Sequence, residues 1–182
     1  MKKHALLLGL IILILPVVAQ DNAAWLRYPS ISPDGTEIVF SYKGDLYKVA
    51  STGGTATPLT IHEAHDFMPV WSLNGKQIAF ASDRFGNFDV YIMPASGGTA
   101  QRLTYNSAND YPWDFTVDGK SVIYSSGRND LSTSVRFPNK TLYGKLYSVP
   151  VEGGRNILIS SAGFQNAHFN KQGNQIIFQD RK

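Results

Sequence analysis

One stretch, Met68 to Thr104, supplies the template for nearly everything after the N-terminus: MPVWSLNGKQIAFASDRFGNFDVYIMPASGGTAQRLT. It parses into four short strand-like runs separated by turn signals. A run into Trp71 is followed by the turn Leu73-Asn74-Gly75-Lys76, and an apolar run around Ile78-Ala79-Phe80 by the polar turn from Asp83 to Asn87. The run Val90-Tyr91-Ile92-Met93 then precedes Gly97-Gly98, before Leu103-Thr104 closes the unit.

The same unit recurs. Ser32-Pro33-Asp34-Gly35, Ser72-Leu73-Asn74-Gly75, Thr116-Val117-Asp118-Gly119 and Asn170-Lys171-Gln172-Gly173 are four copies of one turn, with glycines 40, 44 and 54 residues apart. A large apolar residue precedes each copy: Ile31, Trp71, Phe115 and Phe169. After each come Ile38-Val39-Phe40, Ile78-Ala79-Phe80, Val122-Ile123-Tyr124 and Ile176-Ile177-Phe178. These runs do not alternate, so each predicts a strand buried on both faces. Leu46-Tyr47, Val90-Tyr91 and Leu146-Tyr147 mark a third strand, with a Gly-Gly pair beginning six residues after each tyrosine. Four-stranded units of about 40 to 45 residues, with middle strands buried on both sides, predict the blades of a β-propeller. A sandwich would call for alternating polarity and a helical solenoid for a 3.6-residue period, which is not found after residue 20.

The expected organisation is all-β. Residues 1–19 form a secretory signal, with Lys2 and Lys3, an apolar stretch from Ala5 to Leu15 and a small residue, Ala19, at the cleavage position. That stretch falls short of the roughly 20 residues that span a bilayer, so no stable membrane span is expected after cleavage. Residues 20–182 form an incomplete propeller, with blades at about 28–60, 68–104, 111–159 and 166–182. Asp21 to Arg27 is a lead-in carrying Trp25, a candidate for completing a blade at the other end of the chain. Blade three is lengthened by an insertion, Asn129 to Tyr143, and the fourth consists of an inner hairpin alone. Such a set is expected to be an open, self-associating arc in which Lys182 is an artificial end and the edge at Ile176-Ile177-Phe178 is unpaired. The chain has no cysteine, hence no disulfide framework or thiolate metal site. Without Lys2 and Lys3, fifteen basic side chains face fourteen acidic ones, a net +1 that argues against a nucleic-acid partner.

Antiparallel reversal puts the loops joining second to third strands on the same face as the loops joining blades, and that face collects the candidate site. Asp66, Arg84, Asp110 and Arg128 recur at comparable blade positions, so inter-blade ion pairing competes with a role for the two arginines as partners of peptide carboxylates. His168 lies on the same face, as do Gln165 and Asn166. His62-Glu63-Ala64-His65 places its histidines three apart in a loop, where a zinc helix needs four, and Phe85 interrupts the oxygen donors Asp83, Asn87 and Asp89. Neither metal nor cofactor is therefore expected. Asn139-Lys140-Thr141 is a glycosylation sequon. No GxSxG, SxxK, P-loop or GxGxxG motif occurs, and no catalytic constellation is expected within the chain.

The pattern from Pro69 to Tyr91, PVWSLNGKQIAFASDRFGNFDVY, resembles the WD-like propeller repeat of the tricorn peptidases and of the periplasmic protein TolB. The resemblance covers Tyr28 to Lys182 and is specific for fold, permissive for function. The TolB type carries an α/β domain before its propeller, which is not expected here because blade one begins at Tyr28. The wording Phe67-Met68-Pro69-Val70-Trp71 and Ser82 to Asp89 is more similar to exported tricorn-like serine peptidases. Membership there implies a non-catalytic propeller that scaffolds and gates peptides or unfolded polypeptide for downstream PDZ-like and peptidase domains. No catalytic residue of that family falls in this sequence. A TolB-like protein-binding propeller and the propeller of a prolyl-oligopeptidase-like hydrolase are the alternatives.

Overall fold

The computed structural model describes residues 25–128 and 144–179, apart from the side chains of residues 163 and 164. The predicted signal segment, the 129–143 insertion and its sequon lie outside the described residues. No helix among these residues is long and apolar enough to cross a membrane.

The first sheet is β1 (Arg27–Ile31), β2 (Glu37–Tyr42), β3 (Asp45–Ala50) and β4 (Thr57–Pro58), neighbours in that order. The second repeats it with β5 (Asp66–Trp71), β6 (Gln77–Ser82), β7 (Asp89–Pro94) and β8 (Gln101–Arg102). The third contains β9 (Asp110–Phe115), β10 (Ser121–Ser126), β11 (Gly144–Pro150), β12 (Ile157–Phe169) and β13 (Ile176–Gln179). All neighbours pair antiparallel. These are the blades the repeat predicts, and the fold is a set of propeller blades.

The repeated turn explains why each inner hairpin closes where it does. Ser72 donates its hydroxyl to Asn74 Oδ1 at 2.8 Å and accepts from the Gln77 amide at 2.9 Å, while Lys76 N donates to the same Asn74 oxygen at 3.0 Å. Ser32 with Asp34 and Thr116 with Asp118 repeat the arrangement. The glycine that follows holds φ of 75, 69, 68 and 70° in the four copies, a region open to glycine at little cost. At Asp34 and Asp118 the hydroxyl hydrogen bonds hold the exposed carboxyls below their ordinary value.

The non-alternating runs of blades two and three are buried on both faces, whereas that of blade four is mostly exposed. Ile78, Ala79 and Phe80 are all fully buried. Ile78 and Phe80 pack toward blade one with Val39, Leu46, Trp71 and Tyr91, while Ala79 packs toward blade three with Val90, Phe115, Val122 and Tyr124. The register carries the same logic onward, with Ile123 and Leu146 facing Ala167 in the fourth unit. At the two ends it leaves apolar side chains exposed. Ile31, the counterpart of Trp71, is 60% exposed, and Ile177, the counterpart of Ile123, 72%.

Blades three and four are joined in a way the repeat does not announce. In blades one and two a threonine turns the outer strand away: Thr60 Oγ1 accepts from Leu46 N at 2.9 Å and donates to Asp45 at 3.1 Å. Thr104 does the same with Val90 N at 2.9 Å and Asp89 at 3.2 Å. In blade three the corresponding positions hold Ser160 and Lys145, a lysine in place of the carboxylate, and Ser160 Oγ accepts from Ala162 N at 3.3 Å. There β12 runs unbroken for 13 residues, pairing with β11 in its first part and with β13 in its last. The expected break between residues 159 and 166 is thus bridged by continuous strand.

Asp114 fastens this junction. Its Oδ2 accepts from Phe169 N at 3.0 Å and lies 3.6 Å from His168 Nδ1. The hydrogen bond to Asp114 raises the His168 imidazole above its ordinary value against an opposing effect of burial. A raised histidine stabilises fully below its unfolded value, about 6.5, and the contribution is lost as pH climbs through the folded value. The β12–β13 hairpin is therefore expected to exchange its amides more readily, corrected for intrinsic rates, at pH 8 than at pH 6. Asp114→Asn should flatten that dependence; an unchanged pH response in this variant would separate His168 from it.

Candidate functional site

The face of the second-to-third-strand loops and the inter-blade loops holds the candidate residues. Loop meets loop directly: Asp66 N donates to Gly44 O at 2.7 Å, Asp110 N to Phe88 O at 2.7 Å, and Asn87 Nδ2 to Asn106 O at 2.9 Å. Each blade's hairpin thus carries the approach to the next blade.

Asp66 and Arg84 are brought together, as are Asp110 and Arg128. Arg84 Nη2 donates to Asp66 Oδ2 at 2.8 Å, and its guanidinium lies 5.8 Å from the Phe80 ring centre and 5.2 Å from that of Tyr91. Arg128 donates to Asp110 Oδ2, bonds Ser126 Oγ through Nε at 3.1 Å, and sits 5.1 Å from each of Tyr124 and Tyr147. Both carboxylates are fully buried, and Arg128 is 8% exposed. Burial raises the Asp110 carboxyl from its ordinary value, with Ser126 and Arg128 pulling against it. Blade one has Leu26 and Gly44 at the matching positions, so its ring pair Phe40–Tyr47 carries no guanidinium. The expected inter-blade ion pairing is not what forms: each arginine pairs with an aspartate of its own blade, tying the first strand to the loop after the second, and a peptide carboxylate would have to displace that aspartate. His168 lies apart, on the blade-four strand described above.

A third pair escaped the sequence reading. Arg102 Nη2 donates to the buried Asp89 at 2.6 Å, and the guanidinium lies 4.6 Å from the Phe85 ring and 4.7 Å from that of Tyr105. Both rings are mostly exposed. The signal was the Asp89…Thr104 spacing, repeated as Asp45…Thr60, with a cation two residues before Thr104. Burial likewise raises Asp89 against Arg102. The oxygen donors Asp83, Asn87 and Asp89 serve different partners, Asp83 accepting from His65 N at 2.7 Å. His62 Nδ1 accepts from Ala64 N at 2.9 Å, a local turn. Among the described residues no three His, Asp or Glu side chains are grouped as metal ligands would be.

The sequence reading also missed an aromatic cluster at the inner edge of this face. Phe67 is its centre, with ring centres at 5.4 Å to Tyr28, 5.0 Å to His65, 4.8 Å to Phe88 and 5.9 Å to Tyr111. Inner strands supply Tyr28, Phe67 and Tyr111, because the first strand of every blade lines the axis. At this level the backbone is bulged, and Tyr28, Met68 and Asn166 hold φ of 52, 53 and 53°. A non-glycine residue there costs about 1 kcal/mol or more, and such strain gathers at functional surfaces. Blade three has Pro112 at this place, whose ring forbids the conformation.

Two clefts flank Phe67. One of about 310 Å³ runs along the axis side, lined by Tyr28, Met68, Tyr111, Trp113, Gln165 and Asn166 besides Phe67, so that every blade contributes. The other, about 620 Å³, opens between blades one and two and includes Arg27, Ser41, Lys43 and His65.

The sequence matches, over residues 23–182, the family profile described as the tricorn protease N-terminal β-propeller domain. Among solved structures the fold is similar to TolB from Acinetobacter baumannii, at a TM-score of 0.65 and 20% identity over 86% of this chain and 38% of that one. It is similar to a chain of a nidogen/laminin complex, at a TM-score of 0.66 and 8% identity over 85% of this chain and 56% of the other. The tricorn protease gives a TM-score of 0.52 and 19% identity over 69% of this chain and 13% of that one. Each solved chain is thus spanned only in part. No curated protein sequence matches.

Proposed function

Because the chain belongs to the family of the tricorn protease N-terminal β-propeller domain, we propose that it is the non-catalytic propeller of an exported tricorn-like serine peptidase, scaffolding that enzyme and gating its peptide substrates. The observation carrying this reading is the axis cleft. Side chains from the inner strand of each blade converge there, and most are aromatic or apolar: Tyr28, Phe67, Met68, Tyr111 and Trp113. An unfolded peptide offers apolar side chains and an unpaired backbone, which aromatic walls with a few polar ends, here Gln165 and Asn166, accommodate without sequence preference. Among the described residues no serine or threonine hydroxyl is hydrogen-bonded to a histidine base, and in this reading the chemistry is carried by downstream domains. Export rests on the n-region lysines and apolar stretch of residues 1–19.

The reading frame beyond Lys182 tests this most directly: a PDZ-like segment followed by a serine peptidase core is the expected continuation. A frame that ends after further blades rejects the peptidase and leaves a protein-binding propeller of the TolB kind. For residues 20–182 alone, incubation with unstructured peptides is expected to give no turnover. Hydrolysis by this fragment, abolished by one substitution inside it, would overturn the non-catalytic reading.

A further inference from the structure

The cleft between blades one and two contains two cations without a carboxylate partner among the described residues. Arg27 lies 5.9 Å from the Trp25 ring and Lys43 Nζ 5.1 Å from the Tyr42 ring, but neither forms an ion pair, whereas the three arginines on the same face, Arg84, Arg102 and Arg128, do. Arg27 is the cross-strand neighbour of Ser41, and Lys43 follows two residues on, so strand register places all three on one wall. Ser41 is 4% exposed, and its hydroxyl has no hydrogen-bond partner. The opposite wall is apolar, formed by Tyr28, Phe67 and Phe88 with the edge of His65. Glu63 also borders the cleft without engaging either cation.

Lys43 is held there against its backbone preference. It occupies the first central position of the two-residue hairpin Tyr42-Lys43-Gly44-Asp45, with φ of 51° followed by 97° at Gly44. Such a turn needs positive φ at both residues and favours asparagine at the first. A lysine there costs stability that asparagine would recover.

We propose that this cleft is a docking site for an acidic polypeptide segment in which a carboxylate side chain neighbours a large apolar one. Arg27 and Lys43 would take the carboxylate, the Ser41 hydroxyl would donate to it, and the wall around Phe67 would cover the apolar neighbour. Charge complementarity selects the occupant: two unpaired cations and an unsatisfied hydroxyl beside aromatic rings match a carboxylate on an apolar support. The site lies off the axis cleft and requires no downstream peptidase, so its failure and that of the gating role are separable.

The test measures fluorescence anisotropy of an N-acetylated, C-amidated hexapeptide with a central Phe-Glu, bound to the full 20–182 chain. Binding is expected to weaken about tenfold when the peptide carries Phe-Gln, and by a similar factor in Lys43→Asn and in Arg27→Gln. Lys76→Ala, on the tight-turn face, should leave it unchanged. Lys43→Asn separates function from structure, since its melting temperature should hold or rise while affinity falls. Equal binding of the Phe-Glu and Phe-Gln peptides, unaltered affinity in both cation variants, or binding only to a peptide with a free terminal carboxylate would each overturn the proposal.

Discussion

Replacing Arg128 by alanine is expected to destabilise the folded chain by about 3–5 kcal/mol, because it strands a buried carboxylate. Asp110 is fully buried, and Arg128 is the cation bonded to it. The guanidinium also covers the rings of Tyr124 and Tyr147, so its removal uncovers the seam between blades two and three as well as breaking the pair. For a chain of this size about 1 kcal/mol corresponds to roughly 2–4 °C, so a thermal melt should fall by roughly 10 °C. Arg84→Ala should do less, since Arg84 is 17% exposed and water reaches part of its charge. Joint replacement of Asp110 by leucine and Arg128 by methionine should recover much of the loss, because a buried pair exchanged for apolar groups of similar volume is often neutral. Peptide affinity measured alongside assigns the role. Lost stability with unchanged affinity makes Arg128 a structural anchor within its own blade; lost affinity at unchanged stability makes it a carboxylate partner.

Phe67→Ala should rank beside it, at about 3–5 kcal/mol for a buried phenylalanine truncated in a packed cluster. Phe67 is 9% exposed and meets four rings, Tyr28, His65, Phe88 and Tyr111. It lines both clefts, so alanine merges them into one wider opening. If the proposed gating role holds, the same substitution in the full-length protein should relax discrimination between short and long peptides. Phe67→Leu separates the two effects by keeping most of the volume and stability while losing edge-to-face geometry. Unchanged size selectivity in Phe67→Ala would remove this ring from the gate.

Much of this architecture was legible because it is local and repeated. Ser72-Leu73-Asn74-Gly75 specifies its hairpin through its own hydroxyl, amide and glycine, within four residues. Ile78-Ala79-Phe80 announces a doubly buried strand by failing to alternate. Asp66, Arg84, Asp110 and Arg128 stood out by recurring at comparable blade positions, but which aspartate meets which arginine was decided within each folded blade. Arg102 did not stand out, for it lies in an outer strand of two residues and reaches Asp89 on the adjacent strand. The Phe67 cluster draws on inner strands of three blades and on loops, a convergence no single repeat encodes.

The boundary between the two kinds of information is physical. Turn chemistry and burial period act over a few residues, so the sequence alone determined the blade unit, its strand order and the face that collects the loops. Partner choice depends on which side chains meet across blades. Only the tertiary structure decided that Arg84 and Arg128 are bound to aspartates while Arg27 and Lys43 have no carboxylate partner among the described residues. It also decided that β12 continues from blade three into blade four, where Lys145 and Ser160 stand in place of the aspartate and threonine that bond in blade two. The threonine–aspartate bond forms only once the fold brings residues 15 apart together, and the third blade carries a lysine where the aspartate would stand.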